Sequence, residues 1–217
     1  MNTPVALEKK RFGEERIGIF GGAFDPPHNA HVALAQLAVA HLELDTLHII
    51  PTGQAWHKSR VLTAPEHRLA MTRLAFENLP RLLVDDRELQ RAGPTFTIDT
   101  LQALKLEYPQ ARLYLIMGAD QFVDFKKWHQ WDAILKIAII CIAGRAQVGW
   151  VEGQFEAYKE LKTRFLMLPL PLKPVSATQI RKLLASGNGN GKPLEIGNLV
   201  PEAVARYIAL NQLYCLP

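Results

Sequence analysis

Residues 16–44 read RIGIFGGAFDPPHNAHVALAQLAVAHLEL, and this stretch decides the fold. A short apolar run from Arg16 to Phe20 ends at the glycine pair Gly21-Gly22, and apolar residues then recur at helical spacing from Ala30 to Leu44. A strand, a loop and a helix are therefore predicted in that order. Because open parallel sheets bind ligands where a strand passes into the next helix, this loop is the first candidate site.

The same alternation continues along the chain. Further strands are predicted at Leu47–Ile50, Leu82–Val84, Leu113–Met117, Ile137–Ile142 and Phe165–Leu168. The predicted helices that follow them are Pro65–Leu79, Ile98–Leu106, Trp131–Leu135, Ala177–Ala185 and Pro201–Leu210. This pattern predicts an α/β fold built on a parallel sheet. We expect a single domain over residues 16–217, preceded by a flexible, charged extension over residues 1–15.

The composition limits the classes of protein that need to be considered. With 48% hydrophobic and 21% charged residues, the 217-residue chain is neither disordered nor fibrous. A net charge of +4 suits anionic ligands, but no basic cluster is interleaved with aromatic residues, so we expect no nucleic acid partner.

Membrane association and secretion are not expected either. The longest apolar stretch, Ile134 to Ala143, is interrupted by Lys136 and is shorter than the roughly 20 residues of a membrane span. The charged N-terminal residues are followed by no apolar segment of the signal-peptide kind. Cys141 and Cys215 suggest neither a disulfide framework nor a metal site. We expect a cytoplasmic protein with no membrane partner, either monomeric or homodimeric.

The loop after the first predicted strand has the chemistry of a phosphate site. Its glycines allow the backbone to approach a phosphate, and the N–H groups at the start of the next helix supply positive potential. His28 and His31 are three residues apart, so both can point into one site and donate hydrogen bonds to phosphoryl oxygens. The alternative is a tight turn with two exposed histidines.

Gly22 to His31 follow the pattern Gly-x-Phe-x-Pro-x-His-x-x-His, which resembles the signature of the HxGH superfamily of adenylyl and cytidylyl transferases. The Gly-Gly-x-Phe-Asp-Pro-x-His form is similar to that of nicotinate mononucleotide adenylyltransferases. The resemblance implies a Rossmann-like parallel sheet flanked by helices, of the nucleotidyltransferase type, with a small C-terminal helical part. Ala23 stands where that family usually has Thr, and Ala30 replaces the Gly of HxGH, so we expect altered kinetics.

A second motif, Val175 to Arg181, resembles the superfamily's Ile-Ser-x-Thr-x-x-Arg at the start of a late helix. Ser176 is predicted to cap that helix, and Arg181 to neutralise charge on a triphosphate. The resemblance implies catalytic roles for His28, His31 and Arg181, with Mg²⁺ brought by ATP. It assigns ATP binding to Gly21, Gly22, Ala23, Phe24, His28, His31, Ser176, Thr178 and Arg181.

Three segments between the motifs resemble the acceptor site of the nicotinate mononucleotide adenylyltransferases. They are Gly93–Leu101, Ile116–Asp120 and Phe125–His129. The resemblance implies that Trp128 stacks on the pyridine ring while backbone N–H groups near Trp128 and His129 bind its carboxylate. The residues that it assigns to the mononucleotide are Thr97, Asp120, Trp128, His129, Lys58 and Arg145.

Other interpretations stay open. Trp128 could be a half-buried anchor, as Trp131 is expected to be, and Lys58 and Arg145 could be solvated surface cations. The activity implied is transfer of the adenylyl group of ATP to nicotinate mononucleotide, giving deamido-NAD and pyrophosphate. Phosphopantetheine adenylyltransferases are rivals, but they are shorter and lack the Trp128 segment. A non-catalytic nucleotide-binding paralogue is a second rival, suggested by Ala23 and Ala30.

Overall fold

The computed structural model describes residues 10–54, 61–144, 163–169, 175–186 and 196–214. The strands are β1 (Arg16–Gly22), β2 (Thr46–Pro51), β3 (Leu82–Val84), β4 (Arg112–Gly118), β5 (Ala138–Ala143) and β6 (Phe165–Leu168). The helices are α1 (Asn29–Leu42), α2 (Pro65–Phe76), α3 (Thr97–Glu107), α4 (Ala119–Val123), α5 (Trp131–Ile137), α6 (Ala177–Ser186) and α7 (Glu202–Leu210), with a 3₁₀ turn at Phe125–Lys127. The predicted α/β class is confirmed, and each predicted element is present; α4 and the 3₁₀ turn were not predicted.

The strands form one sheet in the order β3-β2-β1-β4-β5-β6, and every neighbouring pair is parallel. The chain therefore runs outward from β1 to β3 and then crosses back to β4, on the other side of β1. In sheets of this kind, a crevice opens beyond the carboxyl ends of the two strands at which the direction reverses. The loops that follow β1 and β4 flank that crevice.

Apolar side chains cover both faces of the sheet. On one face, α1, α2, α6 and α7 pack around a cluster that includes Leu42, Leu47 and Phe76. On the other face, α3, α4 and α5 pack around Leu101 and Leu113 and their neighbours. Buried aliphatic and aromatic side chains of this kind each contribute about 1.5–3 kcal/mol, so the two layers hold the loops at the strand ends in place.

Lys10 and Glu15, which precede β1, contact the rest of the domain. The Lys10 ammonium is 2.5 Å from a carboxylate oxygen of Asp45. The backbone N–H of Arg112, the first residue of β4, donates to the Glu15 carbonyl at 2.8 Å. The boundary placed between residues 15 and 16 stays a prediction. Within the described part of the chain, no helix is long and apolar enough to cross a membrane.

Candidate functional site

The loop between β1 and α1 is held in place by its own aromatic residue. Phe24 adopts φ 45°, a left-handed conformation that is costly for a bulky side chain. Its ring is 2% exposed and makes edge contacts with Phe20 and Phe76, at centroid distances of 5.5 and 5.7 Å. A Cβ at Gly22 would lie 3.1 Å from the same ring, so the glycine permits this close approach. Core packing therefore determines the path of the loop.

The two histidines lie side by side at the start of α1. Their rings are stacked, with centroids 3.6 Å apart and planes inclined by 17°. The backbone N–H of His28 donates to Nδ1 of His31 at 3.2 Å. Because Nδ1 of His31 accepts this bond, a neutral His31 ring carries its proton on Nε2. Nδ1 of His31 thus helps to cap the helix.

His28 is the more buried of the pair, with 6% of its surface exposed. Among the described residues, its Nδ1 has no hydrogen-bond partner. Buried polar atoms are nearly always bonded, so this nitrogen at the start of α1 is an exception. Burial lowers the pKa of His28 to about 4, which leaves its imidazole neutral at pH 7 in the ligand-free protein.

This buried histidine predicts a measurable loss of stability in acid. The pKa of His28 is about 4 in the folded protein and 6.5 as a model value, so the unfolded chain binds more protons between those pH values. The contribution of neutral His28 to stability is complete above pH 6.5 and is lost as the pH falls towards 4. Between pH 7.5 and 4, the free energy of unfolding should fall further in the wild type than in His28→Asn. We expect the two decreases to differ by about 2–3 kcal/mol.

Urea unfolding at the two pH values measures this difference. His41→Asn is the matched control, because His41 lies on the exposed surface at the end of the same helix. That variant should lose as much stability in acid as the wild type. Equal losses in His28→Asn and the wild type would contradict a neutral, buried His28.

The second motif lies against the same loop. Ser176 Oγ accepts the N–H of Gln179 at 3.2 Å, and Gln179 Oε1 accepts the N–H of Ser176 at 3.1 Å, so the predicted cap is confirmed. Arg181, one turn further on, donates from Nη1 to the Asp25 carbonyl at 2.7 Å and from Nη2 to Thr178 Oγ1 at 3.1 Å. The fold thus brings the Arg181 guanidinium to the loop between β1 and α1, which is the predicted phosphate loop.

Sequence reasoning missed a buried arginine that holds this loop. Arg68 in α2 is 2% exposed and donates to three backbone carbonyls. Its Nη1 reaches Thr52 O at 2.7 Å and Ala23 O at 3.1 Å, while Nε reaches Thr63 O at 2.9 Å. One side chain therefore joins the loop after β1, the loop after β2 and the segment that leads into α2.

A buried carboxylate network was also missed, beside the loop that leads into α3. Glu88 is 7% exposed and accepts the Thr100 hydroxyl at 2.8 Å, and burial raises its pKa. Arg91 donates to the same hydroxyl at 2.8 Å. A Cβ at Gly53, two residues after β2, would lie 2.2 Å from the Glu88 carbonyl oxygen, so only glycine fits there. The loop after β2 and the segment before α3 are therefore in close contact at Gly53.

The residues predicted to bind the mononucleotide lie beyond the carboxyl end of β4 and at the start of α3. Asp120 is exposed in the first turn of α4. Trp128 is half-buried, with its ring centroid 5.6 Å from that of Phe125. His129 is exposed, and its ring lies 4.4 Å from that of Phe96, next to the half-buried Thr97. The start of α3 and the Trp128 segment are thus brought together. Two further predicted residues, Lys58 and Arg145, lie outside the described residues.

Comparison with known proteins agrees with this architecture. The cytidylyltransferase-like family model matches residues 19–183, a range that contains both motifs. The chain belongs to the cytidylyltransferase-like family.

Curated relatives of this cytidylyltransferase-like protein extend over almost its full length. A probable nicotinate-nucleotide adenylyltransferase of Albidiferax ferrireducens is 48% identical over 200 residues, covering 92% of this chain and 98% of the relative. A second probable nicotinate-nucleotide adenylyltransferase, from Methylibium petroleiphilum, is 39% identical over 204 residues. The alignment covers 94% of this chain and 94% of that relative. The predicted resemblance to nicotinate mononucleotide adenylyltransferases is therefore confirmed.

A solved structure supports the same fold. The nicotinic acid mononucleotide adenylyltransferase of Plasmodium falciparum, complexed with NaAD, superimposes with a TM-score of 0.70 at 20% identity. The alignment covers 93% of this chain and 98% of that one. The predicted Rossmann-like nucleotidyltransferase fold is thereby confirmed.

Proposed function

We propose that this cytidylyltransferase-like protein transfers the adenylyl group of ATP to nicotinate mononucleotide, forming deamido-NAD and pyrophosphate. The observation that carries the proposal is the convergence of His28, His31 and Arg181 on one loop at the reversal point of the sheet. The names of the curated relatives support the choice of acceptor. We further propose that the reaction takes place in the cytoplasm and involves no nucleic acid.

The reaction is a direct displacement at phosphorus. A 5′-phosphate oxygen of nicotinate mononucleotide attacks the α-phosphorus of ATP, the new P–O bond forms, and the bond to the bridging oxygen of pyrophosphate breaks. Negative charge grows on the phosphoryl oxygens and the leaving pyrophosphate, so catalysis depends on positioned donors and positive charge. His31 donates from Nε2, His28 supplies its buried and otherwise unbonded nitrogen, and Arg181 supplies a permanent charge. Mg²⁺ enters as part of the substrate, held by the phosphate oxygens of ATP.

Pyrophosphate release with different acceptors tests the proposal. Purified protein is mixed with MgATP and, separately, with nicotinate mononucleotide, nicotinamide mononucleotide or phosphopantetheine. We expect release with nicotinate mononucleotide, together with deamido-NAD. Preferential release with phosphopantetheine would identify the rival transferase. ATP binding without release in any mixture would identify a non-catalytic paralogue.

Trp128 is proposed to stack on the pyridine ring of the acceptor. Trp128→Ala should weaken binding of nicotinate mononucleotide by about 0.5–1.5 kcal/mol, the size of a lost aromatic contact, and leave ATP affinity unchanged. Trp128→Phe should recover much of the loss. Titration of each ligand by calorimetry measures both affinities.

Trp131→Ala is the matched control for this experiment. Both tryptophans are half-buried, and both contact Phe125, with ring centroids 5.6 Å away for Trp128 and 6.3 Å away for Trp131. The control should lower stability without changing acceptor affinity. Normal acceptor binding by Trp128→Ala, with lower stability, would show that Trp128 only packs against the core.

A further inference from the structure

We propose that Tyr214 positions the phosphate loop for ATP through the buried carboxylate of Asp25. The inference rests on the proposed function, because it concerns the loop that is proposed to bind ATP. Tyr214 would be a positioning residue, since its contact is with the loop. The mechanism proposed above gives no role to Asp25.

Asp25 is a carboxylate within a loop that is proposed to bind a polyanion. Asp25 is only 1% exposed, so a negative charge on its carboxylate requires fixed hydrogen-bond donors. Tyr214 donates its hydroxyl to Oδ1 at 2.7 Å, and the N–H of Thr63 donates to Oδ2 at 3.3 Å. The Asp25 carbonyl accepts the Arg181 guanidinium at 2.7 Å. The residue at the centre of the loop is therefore held by α6, by the segment before α2 and by the C-terminal turn.

Tyr214 is suited to act as a constant donor. Burial and the neighbouring Asp25 carboxylate raise the pKa of its phenol, so the hydroxyl stays protonated. Its hydrogen bond is to a charged acceptor, and such bonds are stronger than neutral ones. The bond also draws the carboxylate into one orientation inside the protein. The charge of Asp25 is thereby held at a fixed place relative to the site proposed for the phosphates.

Backbone strain occurs at Tyr214 and at Phe24, the residue before Asp25. Tyr214 adopts φ 66° and Phe24, next to Asp25, adopts φ 45°. Bulky residues occupy this left-handed region only where surrounding contacts require it, at a cost of roughly 1–3 kcal/mol. The strain at Phe24 is maintained by the core packing of its ring, and the strain at Tyr214 accompanies the hydrogen bond to Asp25.

The C-terminal part also holds the other end of the loop. The backbone N–H of Asn29, the first residue of α1, donates to the Leu199 carbonyl at 2.9 Å. The Asn29 side-chain amide donates to the Asn198 carbonyl at 3.1 Å. The turn before α7 and the turn after it therefore fix the loop at two points, and Tyr214 provides the contact that reaches its centre.

The test is a double-mutant cycle read out by ligand binding. Tyr214→Phe removes only the hydroxyl and should weaken ATP binding about tenfold, while binding of nicotinate mononucleotide stays within twofold of wild type. If Tyr214 acts through Asp25, adding Tyr214→Phe to Asp25→Asn should change the ATP dissociation constant by less than twofold. ATP is titrated in the absence of acceptor, so the readout does not depend on turnover.

Tyr207→Phe is the matched control. Tyr207 lies in α7, and its hydroxyl bonds to His67 Nδ1 in α2 at 2.9 Å, away from the loop. Tyr207→Phe should lose about as much stability as Tyr214→Phe but keep the ATP affinity of the wild type. Unchanged ATP binding in Tyr214→Phe, or additive losses in the double variant, would overturn the inference. If Tyr214→Phe does not fold, Asp25→Asn is tested in its place and should show the same loss of ATP affinity, with binding of nicotinate mononucleotide unchanged. Failure of Asp25→Asn to show this loss would also overturn the inference. Deamido-NAD formation by the wild type tests the proposed function separately.

Discussion

Replacing His31 with alanine is expected to lower kcat by about 10²–10³, the effect of removing one preorganised donor to a transition state. The contacts of the His31 ring would preorganise this proposed donor. Nδ1 of His31 is engaged by the backbone N–H of His28, and its ring is held between the His28 ring, at 3.6 Å, and Phe24, at 5.2 Å. The Nε2–H therefore points in one direction before ATP binds. Steady-state kinetics with saturating MgATP and nicotinate mononucleotide measures the loss.

Two further variants separate catalysis from helix capping. His31→Ala also removes the acceptor for the His28 N–H, which should cost about 0.5–2 kcal/mol of stability. Glutamine at the same position can accept that bond, as in a capping box, so His31→Gln should recover stability while kcat stays at least about tenfold below wild type. His41→Ala, at the exposed end of the same helix, should leave kcat unchanged. Wild-type turnover by His31→Ala would contradict the proposed mechanism.

The fold could be predicted because its signals are local. The Gly21-Gly22 pair ends a buried strand, and apolar periodicity then marks α1. Each strand, and each helix except α4, could be recognised in this way within a window of about 15 residues. The strand order was not predicted; the structure shows that it reverses at β1 and β4, so the histidines lie beyond the carboxyl end of β1. The short α4 was missed because five residues are too few to show a helical period.

The contacts that hold the site could not be predicted in the same way, because they join distant parts of the chain. Tyr214 and Asp25 are 189 residues apart, and no local pattern relates them. Arg68 left a weaker signal that could have been used. The buried positions of α2 are Arg68, Met71, Thr72, Ala75 and Phe76. Their spacing is that of one helix face, so an arginine that shares it has to be buried and bonded.

Removal of that buried arginine should have the largest effect on stability. Arg68→Met keeps an unbranched apolar side chain in place of the arginine stem, but it leaves the carbonyls of Ala23, Thr52 and Thr63 without this donor. Each buried acceptor that loses its partner costs about 1–3 kcal/mol, so we expect a loss of about 3–5 kcal/mol. That is a large part of the total stability of a domain, which is about 5–15 kcal/mol. Urea unfolding at pH 7.5 measures the difference.

Arg68→Lys and Arg73→Met distinguish the causes of this loss. Lysine keeps the charge but lacks the planar fork that reaches three carbonyls, so Arg68→Lys should still lose more than half of the free energy lost in Arg68→Met. Arg73 lies on the exposed side of the same helix, 49% exposed and 3.4 Å from Glu77, and such surface pairs contribute about 0–1 kcal/mol. Arg73→Met should therefore be nearly neutral. A loss below about 1 kcal/mol in Arg68→Met would mean that water replaces the guanidinium at the three carbonyls, and that the phosphate loop is held by Phe24, Asp25 and Asn29 without it.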